Sequence, residues 1–248
     1  IYVLKLDSLG VRQWSKTFGG PSIDQGWAIR PLADGGYVLT GYSDAGAGHG
    51  FDGLVMRLDA MGEATWEYTY GTGGWDFLYD VEVLTDGFVA VGGTYRAGTA
   101  GEQAWVVRLD TEGNLLWERI LGGEDATEAR SVRRVAGDSL VIVGSWGLPD
   151  GSRDAFLAKF DLDGNQLWHT TLSEVGDNVG YSVAELSDGA YALGGFSTLV
   201  AGRSMLLAKV GSTGVPQWVN HIDGGTGEWE GRSIREDYSG GLVLSGIT

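Results

Sequence analysis

The chain has 248 residues, of which 43% are hydrophobic, 43 are glycine and none is cysteine. Its formal net charge is −16, and the 17 basic residues are dispersed along the sequence. This charge argues against binding to nucleic acid or to anionic membrane surfaces, because both need a basic patch. The absence of cysteine excludes disulfides and thiolate metal sites, and no apolar run approaches the length of a transmembrane helix. Since Ile1 begins inside a strand pattern, we expect a mature form, a fragment or an excised domain, with room for flanking domains in a longer chain.

One short pattern organises the sequence: Asp, two residues, Gly, three residues and Trp. Its five copies recur every 50 to 52 residues and end at Trp14, Trp66, Trp117, Trp168 and Trp218. The Asp and the Gly are typical of a tight turn, in which Asp accepts backbone N–H groups and Gly takes the left-handed conformation. In the last copy Gly211 replaces the Asp, which predicts a weaker turn there.

Each repeat contains four runs that resemble β-strands. In the first complete repeat these runs are Gly26–Leu32, Gly36–Ser43, Gly53–Asp59 and Glu63–Thr69. Turns rich in Asp and Gly join the first two runs, and no helical periodicity is sustained anywhere. Four strands in about 50 residues, repeated five times, predict an all-β, five-bladed β-propeller with four antiparallel strands per blade. We name the strands of a blade A to D from the centre outwards.

The two ends of the chain supply complementary halves of a blade. The chain begins with strands C and D (Tyr2–Asp7 and Val11–Phe18) and ends with strands A and B (Gly231–Asp237 and Leu242–Thr248). We therefore predict one domain, 1–248, whose ring is closed by pairing the N-terminal strands C and D with the C-terminal strands A and B. The predicted blades are 26–69, 77–120, 128–171, 179–221, and 230–248 plus 1–18.

The repeated motif is similar to the tryptophan-docking repeat of the PQQ-type, tandem-repeat bacterial propellers, in which the Trp packs between neighbouring blades. It departs from that repeat by one residue, since three residues usually separate the Asp and the Gly there. It resembles more distantly the Asp-box of sialidase propellers, which has a shorter spacing. The resemblance covers the whole chain and implies an architecture. PQQ dehydrogenases of that type use eight blades, and five repeats are too few, so we expect no cofactor.

Two repeated features have a structural and a functional interpretation. The motif tryptophans are candidate sugar platforms, but their fixed spacing on the outer strand favours core or inter-blade packing. A basic residue also recurs on the third strand, at Lys5, Arg57, Arg108, Lys159 and Lys209. In the first four copies an Asp follows it two residues later. A ring of such cations could bind an anion. The favoured alternative is that each basic residue forms a structural ion pair or extends its side chain outward.

The loops divide into two classes. The A–B and C–D turns are short and similar in every copy, whereas the B–C and D–A connections are longer and differ from copy to copy. In a propeller the two classes lie on opposite faces, and function concentrates on variable loops held by a rigid scaffold. Aromatic and charged residues cluster in and beside the variable connections and form our candidate ligand site, with loop packing as the alternative. The candidates are Trp27, Trp75, Asp76, Tyr79, Arg130, Trp146, Tyr181, Trp229 and Arg232.

Signals for catalysis are sparse. Asp76 paired with Asp24 or with Asp80 is a formal candidate for glycoside hydrolysis, but the spacing does not distinguish these acids from loop acids. We predict no catalytic residue and no metal. The sequence favours a non-catalytic binding or scaffolding module, secreted or at the cell surface, that recognises a protein or a glycan through the B–C/D–A loop face. The alternatives are a glycoside hydrolase or lyase with carboxylates at the channel mouth, a purely structural repeat domain, and a cytoplasmic location.

Overall fold

A computed structural model describes residues 1–44, 50–96, 98–99, 101–122, 125–174, 176–199, 202–222 and 227–248. Parts of the predicted variable loops, such as 45–49 and 223–226, lie outside the described residues. The chain consists of two compact units, which are described separately below. The first unit is 1–99 with 105–118, and the second unit is 100–104 with 119–248. Among the described residues no helix is long and apolar enough to cross a membrane.

The described part of the chain forms twenty β-strands, which confirms the all-β prediction. In chain order they are β1 (Tyr2–Leu6), β2 (Arg12–Thr17), β3 (Asp24–Pro31), β4 (Tyr37–Asp44), β5 (Phe51–Leu58), β6 (Ala64–Tyr70), β7 (Asp76–Leu84), β8 (Gly87–Thr94), β9 (Gln103–Leu109), β10 (Leu115–Leu121), β11 (Glu128–Val135), β12 (Ser139–Gly147), β13 (Arg153–Asp161), β14 (Gln166–Leu172), β15 (Asn178–Glu185), β16 (Tyr191–Leu199), β17 (Gly202–Val210), β18 (Pro216–Ile222), β19 (Glu230–Glu236) and β20 (Leu242–Ile247).

Sixteen of these strands form four sheets of four antiparallel strands, each in chain order. The sheets are β3–β6, β7–β10, β11–β14 and β15–β18. Each has the meander form of a propeller blade, with strands A to D in the predicted order. The two middle strands of a blade carry nearly continuous apolar runs because they are buried on both faces; β8 and β9, for example, are buried along their whole length.

The terminal strands form two further sheets of two strands each, β1–β2 and β19–β20. The β1–β2 sheet belongs to the first unit and the β19–β20 sheet to the second. No closed sheet is found among the described residues, so the closure of a ring by these strands stays a prediction from the sequence.

Strand A carries a one-residue β-bulge in all five copies. The pairing between strands A and B skips one residue each time: Trp27, Tyr79, Arg130, Tyr181 and Arg232. A bulge leaves the extra residue outside the ladder and redirects its side chain. Strand A thus presents, at one fixed position, five of the nine candidate residues of the ligand site.

A glycine of strand B faces each bulge, directly opposite the residue that precedes the skipped one. These glycines are Gly41, Gly92, Gly144, Gly195 and Gly246. A Cβ atom at any of them would lie 1.7–1.9 Å from a carbonyl oxygen of strand A, so only glycine allows this approach. A glycine that recurs at a regular spacing inside strand B is the sequence signal of this requirement, which was not predicted above.

The motif tryptophan docks on the motif turn of the following repeat. The indole Nε1 of Trp14 donates to the carbonyl of Ala60 at 3.1 Å, and Trp168 donates in the same way to Ser212 at 3.1 Å. Gly62 lies against the Trp14 ring, where an added Cβ would come within 2.8 Å of a ring carbon. These contacts confirm the packing interpretation of the repeated tryptophans.

Candidate functional site

The first unit carries a row of aromatic side chains on neighbouring blades. The bulge residues Trp27 and Tyr79 contact each other edge to face, with ring centroids 5.4 Å apart. Tyr79 lies parallel to Phe77 at 6.0 Å, and Phe77 contacts Trp75 at 6.4 Å. The row therefore contains three of the candidate residues: Trp27 and Tyr79 at the bulges, and Trp75 next to Phe77.

Tyr42 and Phe51 extend this row into a cluster. Tyr42 lies 5.1 Å from Phe77 and 4.9 Å from Phe51, and Phe51 lies 5.6 Å from Trp75. We call the six side chains the aromatic cluster: Trp27, Tyr42, Phe51, Trp75, Phe77 and Tyr79. Four of the rings are half-buried, while Trp27 and Trp75 are 51% and 54% exposed. Edge-to-face contacts fix the inner rings in place, so the two tryptophans are held as exposed, preoriented apolar surfaces.

The acids near the aromatic cluster are engaged in structural bonds. Asp76 is fully buried; it accepts the backbone N–H of Thr72 at 2.9 Å and the hydroxyl of Thr94. Asp24, at the same position of the preceding blade, accepts the N–H of Gly20 at 3.0 Å and the hydroxyl of Ser43 at 2.5 Å. Each carboxylate thus ties its D–A loop to strand B.

Asp80, the other acid weighed as a catalytic partner, forms an ion pair. It is buried and accepts a hydrogen bond from the guanidinium of Arg30 at 2.6 Å. The burial and the ion pair of this carboxylate suit a structural role better than that of a general acid, whose oxygens must reach the substrate.

In the second unit the bulge residues of three successive blades form a cation–π stack. The guanidinium carbon of Arg232 lies 4.0 Å from the centre of the Tyr181 ring, and that of Arg130 lies 5.9 Å from it. Burial raises the pKa of Tyr181, and the two arginines oppose this effect only in part. The phenol is therefore neutral at physiological pH and is able to donate a hydrogen bond.

Two buried glutamates balance these arginines. Glu128 lies 2.5 Å from Arg130, and Glu230 bonds both Arg232 and Arg203. Both glutamates precede the bulge residue by two positions, where the other blades have Gln25, Phe77 and Val179. We call this second group the arginine–tyrosine cluster: Glu128, Arg130, Tyr181, Arg203, Glu230 and Arg232. It contains three arginines and two glutamates, and each arginine pairs with one of the glutamates.

The remaining two candidates lie in other surroundings. The half-buried Trp146 packs within its blade, with ring centroids 4.5 Å from His169 and 5.9 Å from Phe156. Burial lowers the pKa of His169, so this imidazole is neutral at pH 7. Trp229 is also half-buried, and its backbone N–H donates to the carbonyl of Arg203 at 3.2 Å. Within the described residues no group of three or more His, Cys, Asp or Glu side chains could hold a metal ion.

The recurring basic residues of strand C find partners in the A–B turn. Arg57 pairs with Asp34 at 2.6 Å, and Arg108 pairs with Asp86 at the same distance. Lys209 likewise pairs with an acid of its own turn, at 2.5 Å. The repeated ion pair is therefore formed in these three copies. Its acid is not the Asp two residues after Arg57 or Arg108, because Asp59 and Asp110 cap their C–D turns, and after Lys209 that position is Gly211.

Comparison with known proteins gives structural neighbours only. No protein-family model and no curated protein matches the chain. An endo-arabinase from Bacteroides thetaiotaomicron is 11% identical and has a TM-score of 0.49, covering 93% of this chain and 92% of its own. The periplasmic gluconolactonase of Pseudomonas aeruginosa is 11% identical with a TM-score of 0.44, covering 97% of this chain and 83% of its own. The β-propeller domain of the Trilobed protease from Pyrococcus furiosus, described as having an open velcro topology, is 12% identical with a TM-score of 0.36, covering 94% of this chain and 79% of its own. Likeness at this level assigns neither a function nor a ligand.

Proposed function

We propose that the protein is a non-catalytic binding module that recognises a protein or a glycan through its variable loop face. The observation that carries this proposal is the exposure of Trp27 and Trp75 at the two ends of the aromatic cluster. Large aromatic surfaces that are exposed yet held in place are what sugar rings and protein hot spots pack against. Because neighbouring rings already fix both indoles, little side-chain entropy is lost when a ligand binds.

The bonding of the nearby acids supports binding over catalysis. A general acid or base must exchange a proton with the substrate, so its carboxyl oxygens have to be reachable. Asp76 is fully buried, and Asp24 bonds the Gly20 amide and the Ser43 hydroxyl. In this proposal these residues shape the loops, and the ligand contacts the indoles and the polar edge beside them, where the Tyr42 hydroxyl donates to Gln25 at 2.8 Å.

The arginine–tyrosine cluster is the second contact surface in this proposal. Arg232 is exposed, and Tyr181 is half-buried beside it. Arginines oriented by buried glutamates present N–H groups in fixed directions, which suits hydroxyl and carbonyl acceptors of a neutral polar ligand. The two surfaces lie in different units, so each is proposed independently.

The finer architecture belongs to the same proposal. We infer a single-domain, five-bladed propeller in which the two-stranded sheets are the halves of a fifth blade: β19–β20 supplies the A and B type, and β1–β2 supplies the C and D type. We also propose that the repeats are related to the tryptophan-docking repeats and that the protein is secreted or lies at the cell surface. Closure within a single chain stays a prediction from the sequence.

Binding of immobilised glycans and capture of surface proteins would test the proposal. The variant is Trp27→Ala with Trp75→Ala, and we expect it to lose at least tenfold in affinity at an unchanged melting temperature. Tyr238→Ala is the matched control, since Tyr238 is a fully exposed aromatic residue in the A–B turn between β19 and β20. Unaltered binding by the double variant would refute the role of the aromatic cluster. Release of reducing ends by the wild type that is lost in Asp76→Asn would favour the hydrolase instead.

A further inference from the structure

A cavity of about 330 Å³ lies in the second unit, on the variable loop face. Its lining comes from three loop segments: 125–126 before β11, 147–153 from the end of β12 to the start of β13, and Asp177 just before β15. These residues are distinct from those of the aromatic cluster and of the arginine–tyrosine cluster. Cavities of about 300–1,000 Å³ are typical of small-molecule sites. The cavity is therefore a separate candidate site.

The cavity adjoins a blade whose loops are tied together in their own way. In the other three complete blades, the residue three positions before the bulge bonds a hydroxyl of strand B: Asp24 with Ser43, Asp76 with Thr94, and Asn178 with Ser197. In the β11–β14 blade these two positions are Thr127 and Trp146, and the Thr127 hydroxyl accepts the backbone N–H of Gly147 at 3.1 Å instead. The two loops are thus joined at their bases, and the groups further out line the cavity.

Arg153 places its guanidinium between two carboxylates at this cavity. Its nitrogens lie 3.6 Å from an oxygen of Asp177 and 3.8 Å from an oxygen of Glu128. Both distances are longer than a hydrogen bond, and within the described part of the chain the guanidinium forms none. The Arg153 side chain is 33% exposed, so a ligand in the cavity can reach its N–H groups. A guanidinium that is held by charge alone keeps these donors for a ligand.

The backbone fixes the groups around the cavity. The N–H of Arg153 donates to Oδ1 of Asp177 at 3.1 Å, which ties the start of β13 to the loop before β15. The turn before Arg153 is closed by the N–H of Leu148, which donates to the carbonyl of Ser152 at 2.9 Å. Asp150 caps the same turn by accepting the N–H of Ser152 at 3.0 Å. Donor and acceptor are therefore preorganised, which lowers the entropy cost of binding a ligand.

The charges around the cavity select the class of ligand. Asp125 and Asp177 line it, and Glu128 lies beside the guanidinium of Arg153. An anion would pair with the arginine but would also meet these carboxylates, and like charges brought together are strongly unfavourable. A hydroxyl group both donates and accepts hydrogen bonds. Two adjacent hydroxyls therefore match the site, because they accept from the guanidinium and donate to a carboxylate.

We propose that this cavity binds a neutral pyranose through two adjacent hydroxyl groups, with Arg153 as the donor and Asp177 as the acceptor. Asp125 supplies a second acceptor at the opposite loop. This inference rests on the proposed function, since it gives a glycan ligand a polar pocket on the same loop face. It goes further in choosing a sugar over a protein and a neutral sugar over an acidic one.

Titration with three methyl pyranosides, followed by saturation-transfer difference NMR, tests the proposal. The sugars are glucose, mannose and galactose, which together present the cis and trans arrangements of adjacent ring hydroxyls. We expect at least one to bind the wild type and Arg153→Ala to weaken that binding by at least about tenfold, because hydrogen bonds to a charged group are lost. Arg134→Ala is the matched control: Arg134 belongs to the same blade and pairs with Asp138 of the A–B turn at 2.6 Å. It should leave binding unchanged.

Asp177→Asn gives a readout that misfolding cannot mimic, because binding of one ligand should increase. The amide oxygen of the variant still accepts the N–H of Arg153, but the negative charge is gone. Glucuronate, the acidic counterpart of glucose, should therefore bind this variant at least about threefold more tightly than it binds the wild type. No increase for glucuronate would overturn the assignment of the charges in this cavity.

Three further results would overturn the proposal: no binding of any of the three neutral sugars, tighter binding of glucuronate than of every neutral sugar by the wild type, or equal losses in Arg153→Ala and Arg134→Ala. These results leave the aromatic cluster untouched, because Trp27→Ala with Trp75→Ala is assayed separately. Binding of a glycan or a protein that depends on the two tryptophans but not on Arg153 would keep the proposed function and reject this pocket.

Discussion

The indole Nε1 of Trp66 donates a hydrogen bond to the carbonyl oxygen of Thr111, 45 residues later, at 3.3 Å. Thr111 lies in the Asp-x-x-Gly turn of the following repeat, and Gly113 of that turn leaves room for the aromatic side chains of β6. The motif therefore connects one blade to the next: the Asp and Gly of each copy form a turn, and the Trp of the preceding copy packs on that turn. The role of the most conspicuous pattern in the sequence is structural.

Trp66→Phe tests this joint, because phenylalanine keeps a large ring but has no donor for the Thr111 carbonyl. We expect the free energy of unfolding to fall by about 1–2 kcal/mol, from the lost hydrogen bond and the reduced packing. Urea unfolding followed by circular dichroism measures the change. Trp75→Phe is the control, since its indole is exposed, and it should shift stability by less than about 0.5 kcal/mol. Equal effects of the two substitutions would contradict the docking role.

The glycine opposite the bulge gives a second prediction. A methyl group on Gly144 would lie 1.9 Å from the carbonyl oxygen of Glu128, and that backbone cannot move without disturbing the bulge at Arg130. Gly144→Ala should therefore destabilise the protein by about 2–3 kcal/mol or more. Gly20→Ala is the matched control, because a Cβ there has no neighbour within 4 Å and the backbone is not in the left-handed region. Similar unfolding midpoints for both variants would show that the close approach is not needed.

The strands and the repeat were predictable from the sequence because their signals are local. Alternating and continuous apolar runs, with turns rich in Asp and Gly, predicted β4 as Gly36–Ser43, and the structure has Tyr37–Asp44. Trp27 and Tyr79 were both candidate residues of the ligand site, and the structure brings their rings together. The bulge that brings them together was missed, because it depends on pairing between two strands and no single strand reveals it.

The partners of charged groups were harder to predict, since a sequence gives their order but not their geometry. Arg57 and Asp59 were read as neighbours on one face, yet Arg57 bonds Asp34, and Asp59 accepts the N–H groups of Met61 and Glu63. The hydrogen-bond partners of the candidate-site acids could not be predicted for the same reason. Asp76 is a loop acid in sequence, and only the folded chain reveals that Thr94 and the Thr72 amide surround it.

The one irregular copy of the motif gives a third prediction. Gly211 keeps the backbone turn, with its N–H bonded to the carbonyl of Val215 at 2.8 Å, but it has no carboxylate to accept the amides that follow. The equivalent Asp161 accepts the N–H groups of Asp163 and Asn165 at 3.0 and 2.8 Å. Gly211→Asp should restore these bonds and raise the melting temperature by about 1–3 °C.

Space at the substituted position makes this repair feasible. A Cβ on Gly211 would lie 3.2 Å from the flexible end of Gln217, and the backbone does not adopt a positive φ. Gly211→Ala is the control, since it adds the Cβ without the acceptor and should give no comparable gain in a thermal melt. If alanine stabilised the protein as much as aspartate, chain stiffening and not turn capping would be the cause.

The turn carboxylates predict a loss of stability in acid. Hydrogen bonds from the Asn114 side chain and from backbone N–H groups lower the pKa of Asp110, and the Asn165 side chain with backbone N–H groups does the same for Asp161. A carboxyl whose pKa is lower in the folded state stabilises the fold at pH values above its unfolded pKa of about 4. That contribution is lost as the pH falls through the lowered folded value. The melting temperature should therefore decrease as the pH falls from about 5 to about 2. The decrease should be smaller in the double variant Asp110→Asn, Asp161→Asn, because an amide oxygen still accepts N–H groups but the amide does not titrate. Melting curves of both proteins across this range measure the difference, and superimposable pH profiles would mean that carboxylates outside these turns control the acid transition.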